Sequence, residues 1–271
     1  MARDHVEFAY AQHLDWRSAA FDAMRGSLSH KMLSHDPDTG AASLIVRFPP
    51  GYQRVIRSTF EEEIYVLDGE VEIDGTSLRR DGYAALGRGR QAVWSSPNGA
   101  AAMLWLDVSS ETEPESLLTR DVLATPWDPD SPPPRLEYMM PRSKTLKCDC
   151  NTGAPRTFLL CTMPQNYPPN WEIPEETHPC AEELFMLGGD ISGPRGVMRQ
   201  GAYFWRPKET LHGPFASREG GLAIIRFRDG PHVNNWQADP VPFRYDCPYD
   251  PILPANFVAD FTRQITLDSR Y

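Results

Sequence analysis

The chain has 271 residues, a formal net charge of −10 and a charged fraction of 24%. With no Lys/Arg cluster to neutralise phosphates, that balance argues against nucleic acid or an anionic membrane surface as a partner. The longest apolar stretches, such as Leu222 to Ile225, fall far short of the roughly 20 residues a bilayer span needs.

The opening MARDHVEF carries acidic residues where a secretory signal is apolar. Five cysteines spread through the chain make no disulfide framework. The expectation is a cytoplasmic protein long enough for two ordinary domains or one large β-rich one.

In chain order the pattern is one short strand after another. Segments 43–48, 63–67, 100–108, 157–162, 184–187 and 222–227 are β-branched or aromatic and are bounded by Gly, Pro, Asp or Asn. Such spacing predicts an antiparallel sandwich or barrel. Residues 110–134, rich in Ser, Glu, Asp and Pro, read as a connection with one helical turn at 115–122. A Pro-rich tail follows, and 254–266 could form a short amphipathic helix. The expected organisation is a first domain over 1–112, a linker over 113–134, a second domain over 135–237 and an extension over 238–271.

The chain repeats itself. Residues 61–70 (EEEIYVLDGE) match 181–190 (AEELFMLGGD), setting Glu62 against Glu182 and Gly69 against Gly189 at an offset of 120. Upstream, 31–41 matches 144–154 at an offset of 113, sharing Lys, Leu, Asp, Thr, Gly and Ala, and Trp16 and Trp127 precede the two copies at comparable distances. Downstream, Gly82 aligns with Gly201 at an offset of 119, which sets Val93 against His212. Only the second copy carries metal-binding residue types: His178 stands where the first copy has Ser58. Glu62, without a nearby histidine, reads as a hydrogen-bonded or solvent-facing remnant.

Residues two apart on a strand share a side, so Glu176 and His178 can both aim inward while Glu182 and His212 approach from neighbouring strands. Two imidazoles with carboxylate suit a borderline divalent metal with open positions. Glu183 is expected on the opposite face from Glu182. Cys148-Asp149-Cys150 falls in the slot that reads His35-Asp36-Pro37 in the first copy, so it reads as a turn, and Cys180 as a small filler.

The second copy resembles the cupins, small jelly-roll barrels with the signatures G(x)5HxH(x)3-4E(x)6G and G(x)5PxG(x)2H. His178, three residues, Glu182, six residues and Gly189 follow the first; Gly201, five residues, Pro207, four residues and His212 follow the second. Two positions depart: Glu176 stands for the first histidine and Glu209 for the second glycine. Each copy opens with Trp, Lys-x-Leu and Asp-x-x-Thr-Gly-Ala, and Pro49-Pro50-Gly51 follows in the first. This opening is similar to the ChrR-like branch.

The resemblance implies an all-β fold of two tandem cupin jelly-roll barrels with few short helices, the first degenerate. It implies a divalent metal, Fe(II) first and Zn, Mn or Ni otherwise, held by Glu176, His178, Glu182 and His212. Glu176 and Glu182 are the candidate catalytic carboxylates, with Glu176 either a ligand or a base.

Trp171, Met186, Tyr203 and Phe215 are candidates to contact a small-molecule substrate or to fill the core, as are Tyr167 and Trp205. Arg226 and Arg206 could orient a carbonyl or acidic group, or pair with the chain's carboxylates. The implied reaction is a non-haem iron dioxygenation that cleaves a C–C bond of a small ketone, diketone or aromatic hydroxyketone. Alternatives are a redox-neutral metal-dependent isomerase, lyase or hydrolase, and a non-catalytic binding cupin. A homodimer is the expected assembly.

Overall fold

The fold is that of a computed structural model, in which residues 3–18, 25, 26, 28–108, 111–129, 135–166, 171–258 and 271 are described. The chain divides into two compact units. One comprises Leu14–Pro126 with Leu146–Ala154; the other comprises Ala2–His13, Trp127–Thr145 and Pro155–Tyr271.

Strands β1 (Val6–Tyr10), β2 (Ser29–His35), β3 (Ala42–Phe48), β4 (Tyr52–Arg57), β5 (Glu61–Ile73) and β6 (Thr76–Arg79) come first. They are followed by β7 (Gly82–Leu86), β8 (Gln91–Ser96), β9 (Ala100–Asp107) and β10 (Leu117–Asp121). Then come β11 (Arg142–Cys148), β12 (Pro155–Thr162), β13 (Glu172–Thr177) and β14 (Ala181–Gly193). Last are β15 (Gly196–Arg199), β16 (Ala202–Arg206), β17 (Gly221–Arg228) and β18 (Asn235–Pro242). Among the described residues, helix is confined to two 3-10 turns, Ala11–His13 and Glu137–Met139, and to α1 (Ala255–Val258). The expected tail helix over 254–266 is seen in α1, and its remainder lies outside the described residues. No helix among the described residues is long and apolar enough to cross a membrane.

The first unit is a nine-stranded antiparallel sheet in the order β10-β7-β5-β9-β3-β2, with β6 and β8 on the far half of β5 and β4 on β8. It curls into a jelly-roll barrel because β5, thirteen residues long, serves two sets of neighbours. Alternation along β5 and β9 turns Ile64, Val66, Leu104 and Leu106 into one core with Leu44, Val46 and Trp94. The helical turn expected at 115–122 is instead β10, paired with β7 from Leu117↔Leu86 to Asp121↔Gly82. The Leu-Leu-Thr run favours a pleated surface, and an open sheet edge is there to receive it.

The second unit repeats the plan in the order β1-β16-β14-β17-β12-β11, with β15 on β14, beside the two-stranded sheet β13-β18. Here the strand outside β16 is β1, so residues 6–10, expected in the first domain, complete the second barrel. Its core gathers Leu184, Met186, Ile191, Phe204, Ala223, Ile225 and Phe227.

The repeated glycine has a steric cause. Gly189 sits at φ 68°, and a Cβ there would lie 1.8 Å from the carbonyl oxygen of Gly220. Gly69 sits at φ 75°, where a Cβ would lie 2.2 Å from that of Gly99. Only glycine lets the long strand pass its neighbour.

Other repeated residues do equivalent work in each sequence copy. Lys31 lies 5.0 Å over Trp16, and Lys144 lies 4.8 Å over Trp127. The carboxylate of Asp36 caps the N–H of Asp38, and that of Asp149 caps the N–H of Asn151. The Cys148-Asp149-Cys150 slot is therefore a turn built on its aspartate.

Candidate metal centre

β13 delivers the first candidate ligand. Glu176 and His212 exchange backbone N–H···O=C bonds of 3.0 Å in both directions, forming an antiparallel hydrogen-bonded pair. Directly opposed residues send their side chains to the same side. His178, two residues on, keeps that side. The Pro179-Cys180 turn then enters β14, whose second residue, Glu182, faces inward across from Arg206 on β16 and Phe227 on β17.

One donor atom each from Glu176, His178 and His212 lie within 4.8 Å of one another, and all three residues are buried. Glu182 Oε2 stands 4.0 Å from His178 Nε2 and 3.6 Å from His212 Nε2. Glu176 Oε1 is 3.9 Å from His212 Nε2. His178 Nδ1 is tied to the carbonyl of Val233 at 3.0 Å, and His212 Nδ1 to that of Thr210 at 2.8 Å. A carbonyl only accepts, so each Nδ1 keeps its proton and each Nε2 turns a lone pair toward the shared centre.

Neighbouring donors at about 2.1 Å from a tetrahedral ion are about 3.4 Å apart, so the set closes on a metal by side-chain shifts of about an ångström. Two imidazoles with one or two carboxylates fit a borderline divalent ion.

Arg206 organises the charges around this set. Its Nη1 donates to Glu182 Oε2 at 2.7 Å, and its Nε and Nη2 grip the two oxygens of Glu7 at 2.5 Å each. Burial alone would raise the Glu7 carboxyl, but the guanidinium overcomes it and holds Glu7 down to about 2. Burial likewise opposes ionisation of Glu182, yet Arg206 and the two histidines keep it below the usual carboxylate range.

Glu176 has no such cation against it, and burial pushes it up to about 7. Burial, helped by Arg206, holds His212 down to about 4, so its imidazole is neutral at physiological pH. Burial also pushes the nearby Cys180 thiol up to about 12, which leaves it an inert filler.

These residues share the lining of a cavity of about 360 Å³. Its other walls are largely apolar, including Phe158, Leu160, Phe215, Ile225, Phe227 and Trp236. Of the residues expected at a substrate, Phe215 is thus on the wall.

Arg206 is there too, while Met186, Tyr203, Arg226 and Trp171 are placed elsewhere. Met186 is fully buried in the barrel core. Tyr203 donates to Glu183 Oε1 at 2.8 Å and Arg226 to Glu183 Oε2 at 2.6 Å, so both lie on the opposite face of β14 from Glu182. Strand alternation imposes this: Glu183 is one residue off the inward face, and its partners follow it. Trp171 packs edge-on against Tyr138 and Phe243, and Tyr138 rather than Trp171 reaches the cavity. Tyr167 lies outside the described residues.

Three residues at the site have no counterpart in the motif reading: Glu7, His232 and Asn234. Asn234 Nδ2 donates to Glu176 Oε2 at 2.5 Å, and the His232 ring stacks on Phe227 at 3.7 Å. The only local signal is a histidine and an asparagine in the Gly230-Pro231 loop just beyond β17.

The first barrel has Ser58 in place of His178 and puts apolar residues in the positions of Glu176, His212 and Arg206. Ile56 pairs with Ala92 as Glu176 pairs with His212, and Leu86 faces Glu62 as Arg206 faces Glu182. The offset is therefore 120 throughout this region, and Ala92, not Val93, corresponds to His212. Glu62 is neither solvent-facing nor a ligand: it is fully buried in an ion pair with Arg25.

No protein-family model matches this sequence, and no curated protein is significantly similar to it. Solved structures do match. A candidate dioxygenase from Nostoc punctiforme PCC 73102 superposes with a TM-score of 0.66 at 19% identity, over 88% of this chain and 87% of that one. An oxalate decarboxylase mutant from Bacillus subtilis superposes at 0.51 and 12% identity, over 85% and 79%. A cupin 2 conserved barrel domain protein from Leptotrichia buccalis superposes at 0.50 and 8% identity, over 74% and 89%. These likenesses show the fold, which is the cupin jelly roll.

Proposed function

We propose that this protein is a bicupin of the ChrR-like branch whose second barrel is a non-haem iron dioxygenase. Its substrate is a small ketone, diketone or aromatic hydroxyketone, and the reaction cleaves a C–C bond. The observation that carries this reading is the convergence of two Nε2 lone pairs and the Glu176 carboxyl on one centre beside a largely apolar cavity. A bound Fe(II) would supply Lewis acidity toward an enolate oxygen and one-electron chemistry with dioxygen.

The chain's own residues do the rest. His178, His212 and Glu176 would hold the ion, with Glu182, anchored by Arg206, beside them. Phe158, Phe215 and Trp236 bind an apolar substrate body and exclude water. Arg206 is already taken by Glu7 and Glu182, so it offers no fork to a dicarboxylate. That favours an uncharged carbonyl compound.

The test is purification without chelator, elemental analysis, and oxygen uptake with a β-diketone and a hydroxyacetophenone. Bound iron with substrate-dependent oxygen consumption supports the proposal. Turnover on a redox-silent metal without oxygen use would favour a Zn-, Mn- or Ni-dependent isomerase, lyase or hydrolase instead. That second reading draws on Glu176, a buried carboxyl on the cavity wall that could carry a proton.

A further inference from the structure

The loop between β17 and β18 reaches the metal centre at two points. The carbonyl of Val233 accepts from His178 Nδ1, and the next side chain, Asn234, donates through Nδ2 to Glu176 Oε2. With its nitrogen turned to the carboxylate, the Asn234 amide presents its oxygen the other way. The loop is anchored beside it: the His232 ring stacks on Phe227 with an interplanar angle of 14° and meets His178 edge-on at 5.3 Å.

Asn234 follows directly on Val233, whose carbonyl holds His178, so one loop places both contacts. Glu176 is left with one oxygen engaged by Asn234 and the other, Oε1, facing His212 Nε2.

Resting on the metal reading above, we infer that Asn234 is a positioning residue that takes up Glu176 Oε2 and leaves Oε1 free to hold a metal. Outer partners of this kind typically change metal affinity by about 10–100-fold. The arrangement also explains how a glutamate can serve where the motif has a histidine: its longer, freer side chain needs an added restraint, and Asn234 supplies it.

The experiment is Zn²⁺ titration calorimetry on the whole protein and on Asn234→Ala, Asn234→Leu, Glu176→Gln and the Asn234→Ala/Glu176→Gln double variant, with Co²⁺ absorption spectra of each. Asn234→Leu keeps the bulk of the side chain but loses the donor. Each outer variant should weaken Zn²⁺ by about tenfold or more and alter the Co²⁺ ligand-field bands. In the Glu176→Gln background Asn234→Ala should cost almost nothing further, since its effect runs through Glu176.

Wild-type affinity in Asn234→Ala and Asn234→Leu, or a full additive loss in the double variant, would overturn the inference while leaving the metal reading intact. A wild-type protein that takes up no divalent ion would sink both. If one outer variant does not fold, the other carries the same test.

Discussion

Arg206 and Leu86 hold the same place in the two barrels, each directly across the ladder from the motif glutamate, Glu182 in one and Glu62 in the other. In the second barrel the glutamate's cation comes from the ladder itself, whereas in the first it comes from Arg25. Arg206→Leu, which copies the first barrel, would leave Glu7 and Glu182 buried without a counter-charge. It should destabilise the protein by about 3–5 kcal/mol in chemical denaturation, and adding Glu7→Gln should recover part of the loss.

Metal binding should be asymmetric. His178→Ala and His212→Ala should each abolish stoichiometric metal by elemental analysis. Glu62→Ala should leave metal content unchanged yet lower stability, because it strands the buried Arg25 guanidinium. Equal metal loss from all three variants would contradict the assignment of the site to the second barrel.

The metal-free protein should show a pH signature at Glu176. Burial raises its carboxyl from 4.5 to about 7. The folded state therefore keeps a proton that the unfolded chain has released between those values. Its contribution to stability is full below about 4.5 and is lost as pH rises through about 7. His212 and His232, lowered from 6.5 to about 4, act oppositely: they cost stability as pH falls through that window. Glu176→Gln removes only the first effect. In chelator, its stability relative to wild type should rise by on the order of 2 kcal/mol from about pH 5 to about pH 7.5. A difference that stays flat with pH would mean the carboxyl is solvated.

Tyr203→Phe should behave as a structural change only. The hydroxyl satisfies Glu183 on the far face of β14, so its loss should cost about 1–3 kcal/mol. Metal content and affinity should not move. The counterpart Tyr83→Phe, which frees Glu63 in the first barrel, should cost a similar amount. A drop in metal affinity for Tyr203→Phe would place that ring at the centre after all.

What could be read from the residues alone was whatever depends on near neighbours in sequence. The spacing His178-x3-Glu182 and the obligatory Gly189 arise within one turn and one strand, so they survive as a pattern. The barrel plan is legible for the same reason, since strand length and alternation are local. Register is less so: the apparent offset of 119 at Gly82 becomes 120 once Tyr83 and Tyr203 are seen to make the same bond to Glu63 and Glu183. For Arg226 and Tyr203 the sequence leaves pocket and structural roles open, because proximity to the motif says nothing about which face a side chain takes; the fold sets both against Glu183. Glu7, His232 and Asn234 were invisible because only the tertiary fold brings them to the centre. Arg206 stood out as a cation, but its engagement by two carboxylates follows from β1 lying against β16.

That last pairing governs how the molecule can be taken apart. Glu7 and Arg206 are 199 residues apart in sequence, so the strand that braces the second barrel leaves the ribosome long before its neighbour exists. A clone begun after residue 112 would omit it. Such a fragment would expose the edge of β16 and leave Arg206 with one carboxylate instead of two. Dissection of the two halves therefore calls for residues 3–13 to be grafted back or supplied as a separate peptide, and an amino-terminal fusion becomes an alteration next to the candidate metal centre.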